Sequence, residues 1–166
     1  MPRPRKTAQA AVRPESLDLG YLALFVGMRM NEVVLEELHA AGFPDVRHSH
    51  GYVFQHLLGG ARSIGELGVL LEVTQQAASK TIAELQALGY VEDVASEDAR
   101  VRRVGLSARG RAVIDKTRGL RATLEARFKR AQGARAVDEA REVLTRVLES
   151  LGGLEAVRGR RIRMPR

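Results

Sequence analysis

The chain has 166 residues, 45% of them apolar, no cysteine, and a formal net charge of +7. That size suits one compact domain or one protomer of an interlocked dimer, and the missing cysteines exclude disulfides, a cysteine-based zinc site and a thiol redox sensor. No run approaches the ~18 uninterrupted apolar residues that a membrane span requires, so no membrane partner is expected.

Residues 1–15 form a basic arm with Arg3, Arg5, Lys6 and Arg13, and residues 158–166 a basic tail with Arg158, Arg160, Arg161, Arg163 and Arg166. Residues 1–13 and 158–166 hold no acid, so without these nine charges 18 basic residues face all 20 acids, and residues 14–157 are left at −2. The high isoelectric point therefore belongs to the two ends, which read equally as DNA-grasping arms or as solvated termini. The N-terminus lacks the apolar stretch of a secretory signal, so a cytoplasmic protein is expected.

Residues 16–48 read as a helix and its linker. Leu17, Tyr21, Leu24, Phe25, Met28, Leu35 and Leu38 make one stripe, and Leu22, Val26, Met30 and Val33 widen it past half the surface. A helix apolar over so much of its circumference is covered on more than one side, and a second subunit is the expected cover. Gly42-Phe43-Pro44 ends it. His48 to Leu58 reads as a short helix with Val53, Phe54, Leu57 and Leu58 inward, stopped by Gly59-Gly60. His48, Tyr52 and His56 share its spacing, but two histidines without flanking Asp, Glu or Cys fall short of a metal set, and no metal is assigned.

At Ser63-Ile64-Gly65-Glu66 stands the S-x-x-E of a capping box, opening a helix with Ile64, Leu67, Leu70 and Leu71 on one side. Thr74 is a second N-cap, and Ala77, Ala78, Ile82, Leu85 and Leu88 trace the inner stripe of the helix that follows. Gly89 ends it in a left-handed conformation. Its outer face carries Gln75, Gln76, Ser79 and Lys80, donors and acceptors of the kind that meet base edges and phosphates. The texture then changes to period two. Tyr90, Val91 and Val94 suggest a strand, Val101, Val104 and Leu106 its return, and residues 95–100 a charged tip. Arg100, Arg102 and Arg103 lie on the returning arm, with Arg109 and Arg111 just beyond. A bland reading of these arginines is a basic hairpin without a specific target.

Beyond it, Ser107 caps a long helix striped by Val113, Thr117, Leu120, Leu124 and Phe128. Gly133 separates a last helix, Val137 to Leu151, with Val137, Ala140, Leu144, Val147, Leu148 and Leu151 on one side. These stripes fit a dimer layer or an intramolecular bundle, and the breadth of the first helix favours the dimer. There is no phosphate-binding glycine loop, H-E-x-x-H or nucleophile elbow, so neither an enzyme nor a cofactor is expected.

Two capped helices and a basic hairpin in this order have the layout of a winged helix-turn-helix. The stretch resembles the MarR family of transcriptional regulators, through SIGELG, VTQQAASKTIAELQALGYVE, the D-A-R of Asp98-Ala99-Arg100 and the exit VGLSARG. Ala95-Ser96 stands where the family commonly has Asp-Pro, and Gly68 where it usually has Ala.

The expected fold is mainly α with a small β-hairpin wing: a winged helix-turn-helix over residues 49–106, flanked by N-terminal (16–48) and C-terminal (107–157) dimerisation helices. The resemblance implies a homodimer on double-stranded DNA with a pseudo-palindromic operator, a repressor relieved by a small-molecule ligand. Ser63, Thr74, Gln75, Gln76, Ser79, Lys80, Asp98, Arg100, Arg102 and Arg103 are the DNA-binding candidates. Asp98 would hold Arg100 or another wing arginine ready for the minor groove. His50 and Phe54 are the candidates for an effector pocket between dimer layer and winged domain. The rival reading is an architectural, nucleoid-type protein with little sequence preference.

Overall fold

The computed structural model describes residues 12–96 and 100–159, which fall into two compact units, one ending at Val33 and one beginning at Val34. In the first unit, Pro14–Ser16 forms a single 3-10 turn, and helix α1 (Leu19–Ala40) begins two residues after Leu17, the first residue of its apolar pattern. The reason is Asp18, whose carboxylate accepts the Tyr21 N–H at 2.9 Å and so fixes the cap. Leu17 consequently precedes the helix. Tyr21, Leu22, Leu24, Phe25, Val26 and Met28 are all exposed in the single chain, an uncovered apolar surface spanning two turns.

The second unit holds the core. The end of α1 contributes Val34 and Leu38, and Gly42 turns the chain at φ +96°. Helix α2 (His48–Leu57) buries Val53, Phe54 and Leu57, while Leu58 is half-buried. Strand β1 (Arg62–Ser63) leads directly into α3 (Ile64–Leu70), and α4 (Gln75–Ala87) packs across it. Strands β2 (Val91–Val94) and β3 (Arg103–Leu106) form the hairpin. β1 adds to its free side, giving an antiparallel sheet in the order β1-β3-β2. Val101, expected on the returning strand, is exposed ahead of it. Phe54 meets Tyr90 edge-on at 5.8 Å between ring centroids, and with Leu67, Ile82, Leu85, Val104 and Val113 they make the centre of the core.

Helix α5 (Ala108–Gln132) starts where Ser107 does two jobs. Its hydroxyl donates to Gly89 O at 2.6 Å and accepts the Gly110 N–H at 3.0 Å. Gly133, at φ +88°, turns the chain into α6 (Ala134–Ser150). Ion pairs stitch these two helices: Arg141 to Glu125 at 2.6 Å and Lys129 to Asp138 at 3.0 Å. The Lys129 and Arg141 bonds hold the Asp138 carboxyl below its ordinary range. Arg141 thus faces α5 rather than solvent alone. No described residue of α6 is buried, and Val143, Leu144 and Val147 lie exposed along it. A further helix, α7 (Leu154–Arg158), occupies the boundary where the basic tail was expected to begin, with Ala156 buried and Arg158 paired to Glu155.

Candidate nucleic-acid interface

The two-helix unit is built on its caps. The Glu66 N–H donates to Ser63 Oγ at 3.2 Å, and the Ser63 N–H donates to Glu66 Oε2 at 2.6 Å. The two bonds from Ser63, and beyond them Arg103 and Arg62, keep the Glu66 carboxyl below its ordinary range. Ser63 therefore starts α3. In the turn, Glu72 takes a left-handed φ of +55°, and the Val73 N–H returns to Gly68 O at 2.9 Å. A Cβ on Gly68 would lie 3.3 Å from Val73 O and 3.5 Å from Gln75 N, so only a small residue fits where the helices cross.

Thr74 Oγ1 accepts the Ala77 N–H at 3.2 Å and starts α4. Ala78, Ile82 and Leu85 are buried against the core, Leu88 is half-buried, and Gln75, Gln76, Ser79 and Lys80 are all exposed. Ala77 corrects the expected inner stripe. It sits on the exposed side, because the inward phase of the helix is set by Ala78, four residues before Ile82. The exposed set forms one polar surface beginning at the N-terminus of α4, where unpaired backbone amides favour an anion.

The wing divides its arginines. Arg102 is bonded to Asp93 and Gln86, at 2.8 Å in each case. Arg103 donates to Ala61 O at 2.8 Å and pairs with Glu66 at 3.6 Å. Arg100 lies exposed in the turn before β3. Asp98 falls outside the described residues. Beyond the wing, the two remaining arginines of the cluster serve the protein itself. Arg109 stacks over the rings of Tyr90 and Phe43, at 4.9 and 5.5 Å to their centroids, and donates to the Tyr90 hydroxyl. Arg111 donates to Leu106 O. These roles escaped the sequence because, Leu106 apart, each partner lies nine or more positions away, while a cluster of like charges is visible at once.

The pair expected at an effector pocket, His50 and Phe54, is buried in the single chain. His50 Nδ1 accepts the Arg47 N–H at 3.3 Å, so His50 caps its own helix, and its ring is buried beside Phe54. Burial first, and then the Arg47 charge, push its imidazole below the ordinary value. Phe54 packs on Tyr90. Both are core residues, and neither lines the cleft of about 330 Å³ found in this unit, which is bounded by Leu57, Leu58, Gly60, Ala61, Glu92, Val94, Gly105, Leu106 and Arg111. Among the described residues, no three His, Asp or Glu converge as a metal set, and no helix is long and apolar enough to cross a membrane.

Residues 45–100 match the model of the MarR family, a span that contains α2 to β2 and most of the stretch on which the resemblance rested. The fold is shared with solved structures of that kind. MarR from E. coli aligns at 22% identity and TM-score 0.60, over 80% of this chain and 97% of its own. YusO from Bacillus subtilis aligns at 19% and 0.64, over 79% and 91%. A point mutant of MepR from S. aureus, solved bound to an oligodeoxyribonucleotide, aligns at 16% and 0.62, over 82% and 99%. No curated protein matches the chain.

Proposed function

With residues 45–100 matching the MarR family and the chain in the fold of winged-helix regulators, we propose that this protein is a dimeric, sequence-specific DNA-binding repressor relieved by a small molecule. The observation that carries the proposal is α4: capped by Thr74, buried through Ala78, Ile82 and Leu85, and presenting Gln75, Gln76, Ser79 and Lys80 together on its exposed side. In the reading we favour, the first amides of α4 hold a phosphate, Gln75, Gln76 and Ser79 meet base edges in the major groove, Lys80 meets a second phosphate, and Arg100 enters the minor groove. The MepR complex with an oligodeoxyribonucleotide supports carrying DNA over to this chain.

The uncovered apolar surfaces of α1 and of α6, each exposed in the single chain, support the dimer. Two copies related by a two-fold axis call for a pseudo-palindromic site. A ligand relieves repression by binding one spacing of the two reading heads better than the other. The protein acts without catalysis or cofactor, in the cytoplasm.

The architectural alternative draws on one observation, the concentration of charge in the two ends. Selection of bound duplexes from a random pool, followed by titration of Gln76→Ala, separates the two. The expected result is one preferred sequence, bound more weakly by Gln76→Ala by about 1–3 kcal/mol with random DNA nearly unaffected. Equal loss on preferred and random duplexes would establish the architectural reading.

A further inference from the structure

Gln86, Asp93 and Arg102 close a ring between α4, β2 and the approach to β3. The Arg102 guanidinium donates from Nε to Asp93 Oδ1 at 2.8 Å, and from Nη2 to Asp93 Oδ2 at 3.3 Å and Gln86 Oε1 at 2.8 Å. Gln86 completes the triangle, its Nε2 donating to Asp93 Oδ1 at 3.1 Å. Gln86 sits in the last turn of α4, Asp93 on β2, and Arg102 immediately before β3.

The location is informative. The register of β2 on β3 ends with Val94 opposite Arg103, so the ring takes hold at the step where the backbone ladder stops. The neighbouring arginine turns to a different part of the unit, with Arg103 bound to Ala61 O and near Glu66 at the start of α3. Two consecutive arginines therefore tie the returning arm of the wing to both helices of the helix-turn-helix, one to the beginning of α3 and one to the end of α4.

We infer that Arg102 is a positioning residue rather than a phosphate contact: with Asp93 and Gln86 it fixes the wing against the recognition helix, and so sets which sequence the two read together. This rests on the DNA-binding reading above. A guanidinium held at two points by a carboxylate has its charge already matched, and reaching a phosphate would mean giving up those bonds. The Asp93 carboxyl, held below its ordinary range chiefly by the Arg102 bond, stays ionised to keep them. Arg102 and Asp93 are each more than half exposed, and an isolated surface pair of that kind contributes little. The closed ring and its place at the end of the ladder are what distinguish this one.

Asp93→Asn gives a test with opposite signs. If Arg102 contacted phosphate, removing the nearby anion would release a cation to the DNA, tightening binding and steepening the slope of log affinity against log salt, at most by about 0.9. If Arg102 positions the wing, Asp93→Asn and Arg102→Ala should each weaken binding to the selected sequence roughly two- to fivefold, the range of exposed pairs. The double variant should then be no weaker than either single one. Arg102→Lys keeps the charge but loses the two-point grip, so it should behave like Arg102→Ala.

Hydrogen exchange in the DNA-free protein adds a readout independent of binding. Amides of 91–94 and 103–106 should exchange faster in both single variants. Tighter binding by Asp93→Asn, or full recovery by Arg102→Lys, would overturn the inference. So would faster exchange with affinity and preference unchanged. A wild-type protein that binds no duplex would instead overturn the parent reading, and that result is in hand before any variant is made.

Discussion

Gly110 is the position at which the winged unit and α5 are most tightly joined. It lies buried in the first turn of α5. A Cβ built on it would fall well inside contact with the Tyr90 carbonyl oxygen, and within 3.1 Å of Leu106 Cδ2 and 3.2 Å of the Tyr90 carbonyl carbon. Carbon–oxygen contacts normally stop at about 3.3 Å, so Gly110→Ala must push the start of α5 from Tyr90 by about 1 Å. That carbonyl already accepts the Ser107 N–H at 3.0 Å, and the adjacent one, of Gly89, accepts the Ser107 hydroxyl at 2.6 Å. Overpacking costs about 1–3 kcal/mol, and each of the two strained bonds about 0.5–1.5 kcal/mol, so the expected loss is about 2–6 kcal/mol. Gly119 is the control on the same helix. Nothing lies within 4 Å of its added Cβ, so Gly119→Ala should stabilise by up to about 1 kcal/mol through helix propensity. Urea unfolding followed by circular dichroism measures both, at one fixed concentration because dimer stability follows mass action. A Gly110→Ala protein within about 0.5 kcal/mol of wild type would refute the packing argument.

The buried His50 imidazole is held below its ordinary value near 6.5, despite Glu84 at 3.7 Å from Nε2, so the folded state resists a proton that the unfolded chain accepts. Its contribution is complete above that value and falls as pH drops through it. His50→Gln should therefore flatten the decline in stability between pH 7 and 5, whatever it does at pH 7, and an unchanged slope in urea midpoints would count against this. Ser63→Ala removes the acceptor of the Glu66 N–H and should cost about 1 kcal/mol in thermal or urea unfolding, with DNA sequence preference kept. Removing residues 1–11 and 160–166, a cut that spares α7, should make the salt dependence of DNA binding shallower while the preferred sequence stays the same. Loss of the preference with the dimer intact, seen by sedimentation alongside anisotropy, would move recognition from α4 to the ends.

The parts of this fold legible in the sequence are those whose causes reach three or four residues. Ser63, Thr74 and Ser107 each accept a backbone N–H three positions on, and the left-handed turn of Gly89 at φ +77° is closed locally by the Gly89 N–H on Gln86 O and the Tyr90 N–H on Leu85 O. The parts that were not legible depend on distant partners or on too few residues. β1 is two residues long and has no period to detect, yet it supplies the third strand. Which alanine of Ala77-Ala78 faces inward depends on a single step of helix phase. His50, a pocket candidate in the sequence, caps α2 through a bond that needs only the Arg47 N–H three residues before it. Arg103 bonds a carbonyl 42 residues away, and nothing in its surroundings announces that.

Arginine is where sequence and structure part most, and the physical reason bears on function. Arg100, Arg102, Arg103, Arg109 and Arg111 lie within twelve positions and look like one phosphate-binding surface. Arg102, Arg103, Arg109 and Arg111 hold carbonyls, carboxylates, a glutamine amide or aromatic rings of their own protein. Guanidinium groups suit this work because a planar fork can satisfy two or three acceptors at once. What remains on the exposed side of α4 is mostly neutral: two glutamines and a serine beside one lysine. Neutral donors and acceptors discriminate base edges, whereas charge attracts every phosphate alike. On the DNA-binding reading proposed above, a body of −2 with a largely neutral α4 surface would gain little from non-specific DNA, so long-range attraction would fall to the basic ends and selection to the helix.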